Sequence, residues 1–241
     1  MAVKLKLIAF FLISFLFVSK SLYSKDVIEK IKYGYINWSY YSMTVYGESF
    51  NNFLGYQNTY DKKISIRLAR IEAFKNLYHS VLNLPIINNK PLKELLSKEK
   101  KKILFQKIYK NALVLGWMEK NENMVEVSIK LDLLKILSDC FQSFIKNIPT
   151  KNISVYIIDA RNFDIKPAFI CNIYNLSKIK IYSFYPKYVD SMEEALLLAG
   201  PRKIVFLNIV DIINPRCSFV VDSNLTKINN VILITKNEEN F

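Results

Sequence analysis

Residues 124–132 read Met-Val-Glu-Val-Ser-Ile-Lys-Leu-Asp, the clearest strand pattern in the first half of the chain. Its alternating apolar residues are Val125, Val127, Ile129 and Leu131. A period of two is typical of a β-strand with one buried and one solvated face. Residues 112–118 form another apolar run, and the polar stretch 119–123 lies between the two. We therefore predict a β-hairpin over 112–132.

A long helix is predicted before this hairpin, capped by Asp61, running to about Asn83 and ended by Pro85. Apolar residues recur in it at three- and four-residue spacing, at Ile64, Leu68, Ile71, Tyr78 and Leu82. Five more residues widen this face, namely Ala69, Ala73, Phe74, Leu77 and Val81. We expect Leu68, Ile71 and Leu77 to pack on the sheet that the hairpin belongs to.

The remaining elements of the first half are shorter. The aromatic and β-branched run Tyr35–Gly47 predicts one strand, followed by a loop over 48–59. Pro91 starts a second helix, predicted to end near Ile103. Its expected apolar side comprises Leu92, Leu95, Leu96 and Ile103. A helix-like run over 133–145 leads to a boundary at 147–150.

The second half is rich in strands. We predict strands over 153–158, 203–213, 218–222 and 231–235, and a hairpin formed by 168–175 and 179–184. Ser191-Met192-Glu193-Glu194 is a capping box, and Gly200-Pro201 closes the short helix behind it. The fold class is therefore α+β: a small, mostly antiparallel sheet packed by two helices, then a strand-rich α+β half.

The N-terminus has the pattern of a secretory signal peptide. Lys4 and Lys6 precede the apolar run Leu7–Val18, and small residues follow it. Twelve residues span only about 18 Å of a hydrocarbon core about 30 Å thick, so the run is too short for a membrane span. We predict residues 1–24 as signal peptide, 25–149 and 150–241 as two domains, no span after cleavage, and a periplasmic location.

Composition excludes several chemistries. The chain has 5 glycines, which disfavours glycine-rich phosphate loops, and 1 histidine, which excludes multi-histidine metal sites. Its net charge is +13, but only five of the 34 basic residues are arginine, the usual partner of phosphates and base edges. We expect no nucleic-acid partner, no cofactor and no metal.

Lysine is concentrated between Lys90 and Lys110, where eight basic residues face two acidic ones. The candidate contact residues are Lys98, Lys100, Lys101 and Lys102. They form either the solvated face of an amphipathic helix, which is the commoner case, or a contact with an anionic envelope surface.

Other candidate side chains have ordinary explanations. The three cysteines, Cys140, Cys171 and Cys217, have apolar neighbours and are expected to be small buried residues, although one disulfide is permitted. Asp159 beside Arg161 is interpreted as a turn-stabilising carboxylate, Asp164 as a loop residue, and His79 as a favourable charge at a helix C-terminus. No catalytic set is predicted.

Two segments resemble the LPP20-type envelope proteins. Residues 67–77 read Arg-Leu-Ala-Arg-Ile-Glu-Ala-Phe-Lys-Asn-Leu, similar to a helix of the form R-A-x-x-D-A-x-x-N-L in that family. Residues 157–161 and 167–168 resemble its I-I-D-A-R-G…P-A segment, although Asn162 replaces the glycine and the chain has no lipobox cysteine. The resemblance covers about 35–225. It implies the periplasm or outer membrane, no assigned chemistry, and a first domain similar to that of a flagellar-assembly protein.

These observations favour an exported, non-catalytic envelope protein that acts in interaction or assembly, with an envelope protein or an anionic envelope surface as partner. The alternative is a periplasmic ligand-binding protein or hydrolase with its site between the halves. A deep charged cleft would favour the alternative, whereas an exposed strand or apolar patch would favour interaction.

Overall fold

The first half of the chain is built on a five-stranded antiparallel sheet, in a computed structural model that describes residues 25–50, 59–121, 124–141, 154–223 and 230–236. In chain order its elements are β1 (Ile28–Ile31), β2 (Gly34–Asn37), β3 (Ser42–Phe50), α1 (Thr59–Leu82), β4 (Pro85–Ile87), β5 (Lys90–Pro91), α2 (Leu92–Leu95), α3 (Lys98–Asn111), β6 (Leu113–Asn121), β7 (Met124–Asp132) and α4 (Leu133–Phe141). The strand order is β1-β2-β3-β7-β6. The predicted hairpin is confirmed as β6 and β7.

The prediction of one continuous strand over Tyr35–Gly47 is wrong. A turn divides this segment into β2 and β3. Asn37 pairs with Ser42, and residues 38–41 form the turn between them. The Trp38 side chain is fully buried, and its backbone N–H donates to the Val27 carbonyl at 2.8 Å. The aromatic residues Trp38 and Tyr41 are therefore buried within a turn and do not belong to an unbroken strand.

The helix α1 is confirmed, but its predicted buried face is partly wrong. It begins at Thr59, so Asp61 lies inside the helix and not at its cap. Leu77 is buried as predicted, whereas Leu68 is 51% exposed and Ile71 is 64% exposed. The face against the sheet instead consists of Ser65, Ala69, Ala73, Asn76, Leu77 and Val81.

Gly47 of β3 is the physical reason for this shift. A Cβ atom added at Gly47 would lie 2.1 Å from the Ala73 backbone nitrogen and 2.3 Å from the Ala69 carbonyl oxygen. The backbone of α1 thus touches the backbone of β3, and only small side chains fit between them. The small residues Ala69 and Ala73 therefore face the sheet beside Gly47, and Leu68 and Ile71 turn outward.

The second predicted helix is two helices. Leu96 has extended backbone after α2, and the Ser97 side chain accepts a hydrogen bond from the Lys100 N–H to cap α3. Because α3 begins at Lys98 and not at Pro91, a different set of its residues faces inward. The helix continues past the predicted end near Ile103 and buries Leu104 and Ile108. Ile103, expected on the buried side, is exposed.

The second half contains two four-stranded sheets within the described residues. Its elements are β8 (Val155–Asp159), β9 (Cys171–Tyr174), β10 (Lys180–Phe184), β11 (Lys187–Val189), α5 (Met192–Ala199), β12 (Ile204–Leu207), β13 (Ile209–Asn214), β14 (Ser218–Val221) and β15 (Val231–Ile234). One sheet is parallel with the order β11-β15-β8-β12, and the other is mixed with the order β10-β9-β14-β13. The α+β class and the β9–β10 hairpin are confirmed.

The predicted strand over 203–213 is divided between the two sheets. β12 pairs with β8, whereas β13 pairs with β14. The change occurs at Asn208, whose backbone N–H and side-chain amide both donate to the Asp222 carboxylate, at 3.2 and 2.7 Å. These two hydrogen bonds fix the chain at the point where it passes from the sheet of β12 to the sheet of β13.

The predicted N-cap of α5 at Ser191 is confirmed. The Ser191 hydroxyl accepts from the Glu194 N–H at 3.2 Å, and Gly200 ends the helix with a φ of 58°, a conformation that favours glycine. No described helix is both long and apolar enough to cross a membrane. The predicted signal peptide 1–24, the boundary 147–150 and the last residues 237–241 lie outside the described residues.

Candidate functional site

The two halves meet through buried aromatic rings. Trp38 and Tyr41 from the turn after β2 contact Tyr188 of β11, with ring centroids 5.9 and 6.1 Å apart. Phe169 contacts Tyr41 edge-on at 5.6 Å. The Tyr41 hydroxyl donates to the Pro186 carbonyl at 2.5 Å. These described side chains pack against one another at the junction and do not line a cleft.

Burial keeps both junction tyrosines neutral. It raises the pKa of the Tyr41 hydroxyl well above its ordinary value, and the nearby Tyr188 and Tyr185 add to the effect. Burial likewise raises the pKa of Tyr188, although the hydrogen bond with Ala168 opposes the shift. Neither hydroxyl is available as a base near neutral pH, so these tyrosines act as structural groups.

A disulfide lies beside Tyr188. Cys171 of β9 is bonded to Cys217, with a Cα–Cα distance of 4.8 Å, and Cys140 is free. The expectation that all three cysteines are simply small buried residues is therefore wrong. The Tyr188 hydroxyl lies 3.2 Å from the Cys171 sulfur, accepts from the Ala168 N–H and donates to the Ala168 carbonyl.

Polar groups also join the halves. The Arg216 guanidinium donates two hydrogen bonds to the Glu29 carboxylate, at 2.7 and 3.0 Å, and Trp38 Nε1 donates to the same carboxylate at 2.8 Å. The turn residue Asn88 accepts from the Asn172 side-chain amide at 2.9 Å. The Arg216–Glu29 and Asn172–Asn88 contacts join residues of different halves, so they fix the position of one half against the other.

The β4–β5 hairpin attaches to the second half through its backbone. The Phe169 N–H donates to the Pro85 carbonyl at 3.1 Å, and the Ile170 N–H donates to the Ile86 carbonyl at 2.8 Å. This hairpin follows α1 directly, so the position of α1 is linked to the second half. No pattern in the sequence predicts this contact, because the pairing involves backbone groups alone.

Asp159 and Arg161 form a local pair, as the turn interpretation predicts. Two guanidinium nitrogens and the backbone N–H of Arg161 donate to the Asp159 carboxylate, at 2.9, 2.6 and 3.1 Å. These hydrogen bonds, the side-chain ones foremost, lower the pKa of Asp159 despite its partial burial. The carboxylate is engaged by its own turn and is not presented to a ligand.

Asp164 and His79 also lie in ordinary surroundings. Asp164 is exposed in the loop after β8. His79 is exposed in the last turn of α1, where a positive charge is favourable, and its ring lies 6.3 Å from that of Tyr78. No group of three or more His, Cys, Asp or Glu side chains in the described part of the chain could hold a metal ion.

Two described cavities have basic groups at their walls. One, of about 360 Å³, lies in the second half and is lined by residues that include Tyr182, Phe184, Lys187 and Arg202. Arg202 donates to the Leu198 and Ala199 carbonyls and so caps α5. The other, also about 360 Å³, lies between α3 and α4. Both cavities are open, and no acidic side chain is among their lining residues.

The motif residues of α1 have structural roles. Ala69 and Ala73 permit the close approach at Gly47, and the Asn76 side chain donates to the Tyr46 carbonyl of β3 at 2.8 Å. Leu77 is fully buried. The Ala, Ala, Asn and Leu positions therefore fix α1 to the sheet rather than form a site.

The predicted lysine cluster is at the start of α3. Lys98, Lys100 and Lys102 are exposed, and Lys101 is partly buried. None of them forms an ion pair in the part of the chain that is described. The structure thus places four lysines together at the surface, at the positively charged end of a helix dipole, where lysine gains nothing for helix stability.

Strand β6 is the surface feature that sequence reasoning missed. It is the last strand of its sheet among the described residues, and nothing described there pairs with its outer edge. Its exposed apolar residues are Leu113, Leu115, Trp117 and Met118. The sequence contains an indication of this exposed apolar strand, because residues 112–118 lack the alternation of apolar and polar residues that a half-buried strand requires.

Lys62 of α1 packs over the Trp117 ring of β6. Its ammonium group lies 4.6 Å from the ring centroid and forms an ion pair with Glu119 at 2.6 Å. On the opposite sheet face, Lys120 binds Glu48 at 2.7 Å and Glu126 at 2.5 Å. The side chains of β6 thus hold the strand in place, and no described residue pairs with its outer edge.

Neither the protein-family models nor the curated protein sequences contain a match to this chain.

Proposed function

We propose that this protein is exported to the periplasm, has no catalytic activity, and acts in interaction or assembly within the cell envelope, by adding a partner's strand to the outer edge of β6. The observation that carries the proposal is this nine-residue edge strand with exposed apolar side chains. Soluble proteins rarely leave such an edge uncovered, because it pairs with other chains. Strand addition is a recurring mode of peptide recognition.

The junction between the halves supports interaction over the alternative of a ligand-binding protein or hydrolase. That alternative needs a charged cleft at the junction, and the described junction residues are packed aromatic rings and paired charges. The Asp159 carboxylate, a candidate acid–base group, forms an ion pair with Arg161 at 2.6 Å. No described feature favours catalysis over interaction.

Export is supported by two independent features. The leader has a basic start, an apolar run and small residues around Ser21 and Ser24. The Cys171–Cys217 disulfide fits an oxidising compartment, since cytosolic thiols are kept reduced. The resemblance of 67–77 to LPP20-type envelope proteins points to the same location.

Site-specific photo-crosslinking in the producing cells tests the proposed edge. A photoreactive residue at Leu113, on β6, should give a cross-linked adduct of one defined mass. The same residue at Leu197, an exposed leucine of α5, is the matched control and should give none. The substitution Leu115→Lys should abolish the adduct at Leu113, because a charge on an edge strand opposes strand addition.

Equal adducts at Leu113 and Leu197, or an adduct that survives Leu115→Lys, would exclude β6 as the interaction edge. Location is tested separately by N-terminal sequencing of the protein from the periplasmic fraction, which should begin near Leu22 or Lys25. Recovery of chains that retain Met1 in the membrane fraction would contradict export.

A further inference from the structure

Helix α1 is apolar on the side that faces away from the sheet as well as on the side that packs against it. Ile64, Leu68, Ile71 and Tyr78 are spaced four, three and seven residues apart, so they share one stripe along the helix. Leu68 and Ile71 are more than half exposed. A helix that is apolar on both sides is normally buried on both. We therefore expect the outer stripe of α1 to be covered by another surface when the protein is bound to its partner.

Helix α3 extends this stripe. Its Tyr109 ring lies 5.1 Å from Phe74 of α1, and its Phe105 ring lies 5.2 Å from Tyr78, so the two helices run side by side in opposite directions. Both α3 rings remain exposed, Tyr109 by 64%. The two helices together present aliphatic and aromatic side chains to the outside.

Basic residues accompany these apolar groups. Lys98 and Lys102 precede Phe105 and Tyr109 at intervals of four, three and four residues, so all four lie on one side of α3. The sequence of α3 contains six lysines and one glutamate, and that of α1 contains five basic and two acidic residues. On α1, the Arg70 guanidinium lies 5.8 Å from the Phe74 ring. We define the α1–α3 face as Leu68, Ile71, Lys98, Lys102, Phe105 and Tyr109.

We propose that the α1–α3 face binds the surface of an anionic phospholipid bilayer, an inference that rests on the proposed envelope location. Apolar side chains would enter the headgroup and acyl boundary while the lysines meet the lipid phosphates. An apolar patch rimmed by lysine suits this partner, because interfaces between proteins are depleted in lysine. A second copy is unsuited, since two such faces would repel each other.

Co-sedimentation with vesicles tests the inference, using the chain purified from the periplasmic fraction. The protein should bind vesicles that contain phosphatidylglycerol and phosphatidylethanolamine. It should bind phosphatidylcholine vesicles much more weakly. Binding should fall with added salt, as the Debye length drops from about 10 Å at 0.1 M to about 3 Å at 1 M. A lysine near an anionic surface strengthens binding about fivefold, so Lys98→Gln with Lys102→Gln should weaken it about 25-fold.

Matched variants separate this face from general charge and hydrophobicity. Lys180→Gln with Lys203→Gln removes the same charge from the second half and should leave binding unchanged. Ile71→Ser with Tyr109→Ser should weaken binding several-fold, whereas Leu197→Ser, on the exposed side of α5, should not. All the substituted residues except Lys180 and Lys203 lie in helices, so circular dichroism should confirm that each variant keeps its fold.

Two results would overturn the inference. One is equal binding by the Lys98/Lys102 and the Lys180/Lys203 variants. The other is absence of sedimentation with anionic vesicles, even if the face captures a protein instead. Absence of vesicle binding would not change the expected cross-link at Leu113 of β6. Absence of that cross-link would not change the expected vesicle binding, so the two experiments test the two proposals separately.

Discussion

Arg216 and Glu29 form an ion pair that spans the two halves of the chain, with a nitrogen–oxygen distance of 2.7 Å and side chains only 18% and 10% exposed. The Arg216 guanidinium also donates to the Pro167 carbonyl at 2.9 Å, and Trp38 donates to Glu29. The pair is therefore embedded in a hydrogen-bonded group, which gives the junction a fixed geometry.

Breaking this pair from one side should be costly. Arg216→Met leaves the Glu29 carboxylate buried without a counter-charge, and we expect the free energy of unfolding to fall by about 3–5 kcal/mol. The double variant Glu29→Gln with Arg216→Met should lose less than the sum of the single losses. Urea unfolding measures both. Lys178→Gln, which breaks an exposed pair with Asp211, is the control and should change stability by less than about 0.5 kcal/mol.

The disulfide should stabilise the second half. Cys171 and Cys217 are 46 residues apart in sequence, and a loop of that length predicts a loss of about 2–4 kcal/mol when the bond is removed. Thermal unfolding with and without reductant checks this, and the variant Cys171→Ala with Cys217→Ala should no longer respond to reductant. Cys140→Ser should keep the full response. A wild-type protein indifferent to reductant would contradict the assignment of this bond.

The packing of α1 gives a contrast between two leucines. Leu77→Ala should lower the free energy of unfolding by about 2–5 kcal/mol because the side chain is fully buried, whereas Leu68→Ala should cost less than about 1 kcal/mol because it is half exposed. Gly47→Ala should destabilise strongly, since its Cβ would clash with the Ala73 backbone. Equal losses for the two leucines would mean that α1 is rotated from its described orientation.

Alkaline pH should destabilise the junction. Tyr188 and Tyr41 have folded-state pKa values raised by burial above the ordinary value of 10.0, so their contribution is complete below pH 10 and is lost as pH rises above it. Above pH 10 the unfolded chain releases a proton that the native chain keeps. Stability should fall by about 1.4 kcal/mol per pH unit for each such tyrosine.

The variant Tyr188→Phe isolates this effect. It should be less stable than the wild type at pH 7, by about 1–3 kcal/mol, because the Ala168 backbone groups lose their hydrogen-bond partner. Its stability should nevertheless decline less steeply above pH 10. Urea midpoints measured at several alkaline pH values give both quantities, and identical slopes for variant and wild type would show that Tyr188 does not titrate on unfolding.

Local sequence patterns were sufficient for elements whose signals lie within a few residues. The alternation from Val125 to Leu131 predicted β7 and its hairpin, and the capping box at Ser191 predicted the start of α5. The turn role of Asp159 followed from its neighbour Arg161. In each case the partner is close along the chain, so the relevant hydrogen bond or face is encoded locally.

The α+β class, the hairpin of β6 and β7, the long helix α1 and the lysines of α3 follow from local patterns along the chain. The buried side of α1 depends instead on a tertiary contact, because Gly47 lies twenty-two residues before Ala69. The pairing of the cysteines is likewise tertiary, since β9 and β14 pair in parallel and bring Cys171 beside Cys217. Periodicity records how apolar residues are spaced along an element, whereas burial depends on which distant backbone comes close enough to exclude water.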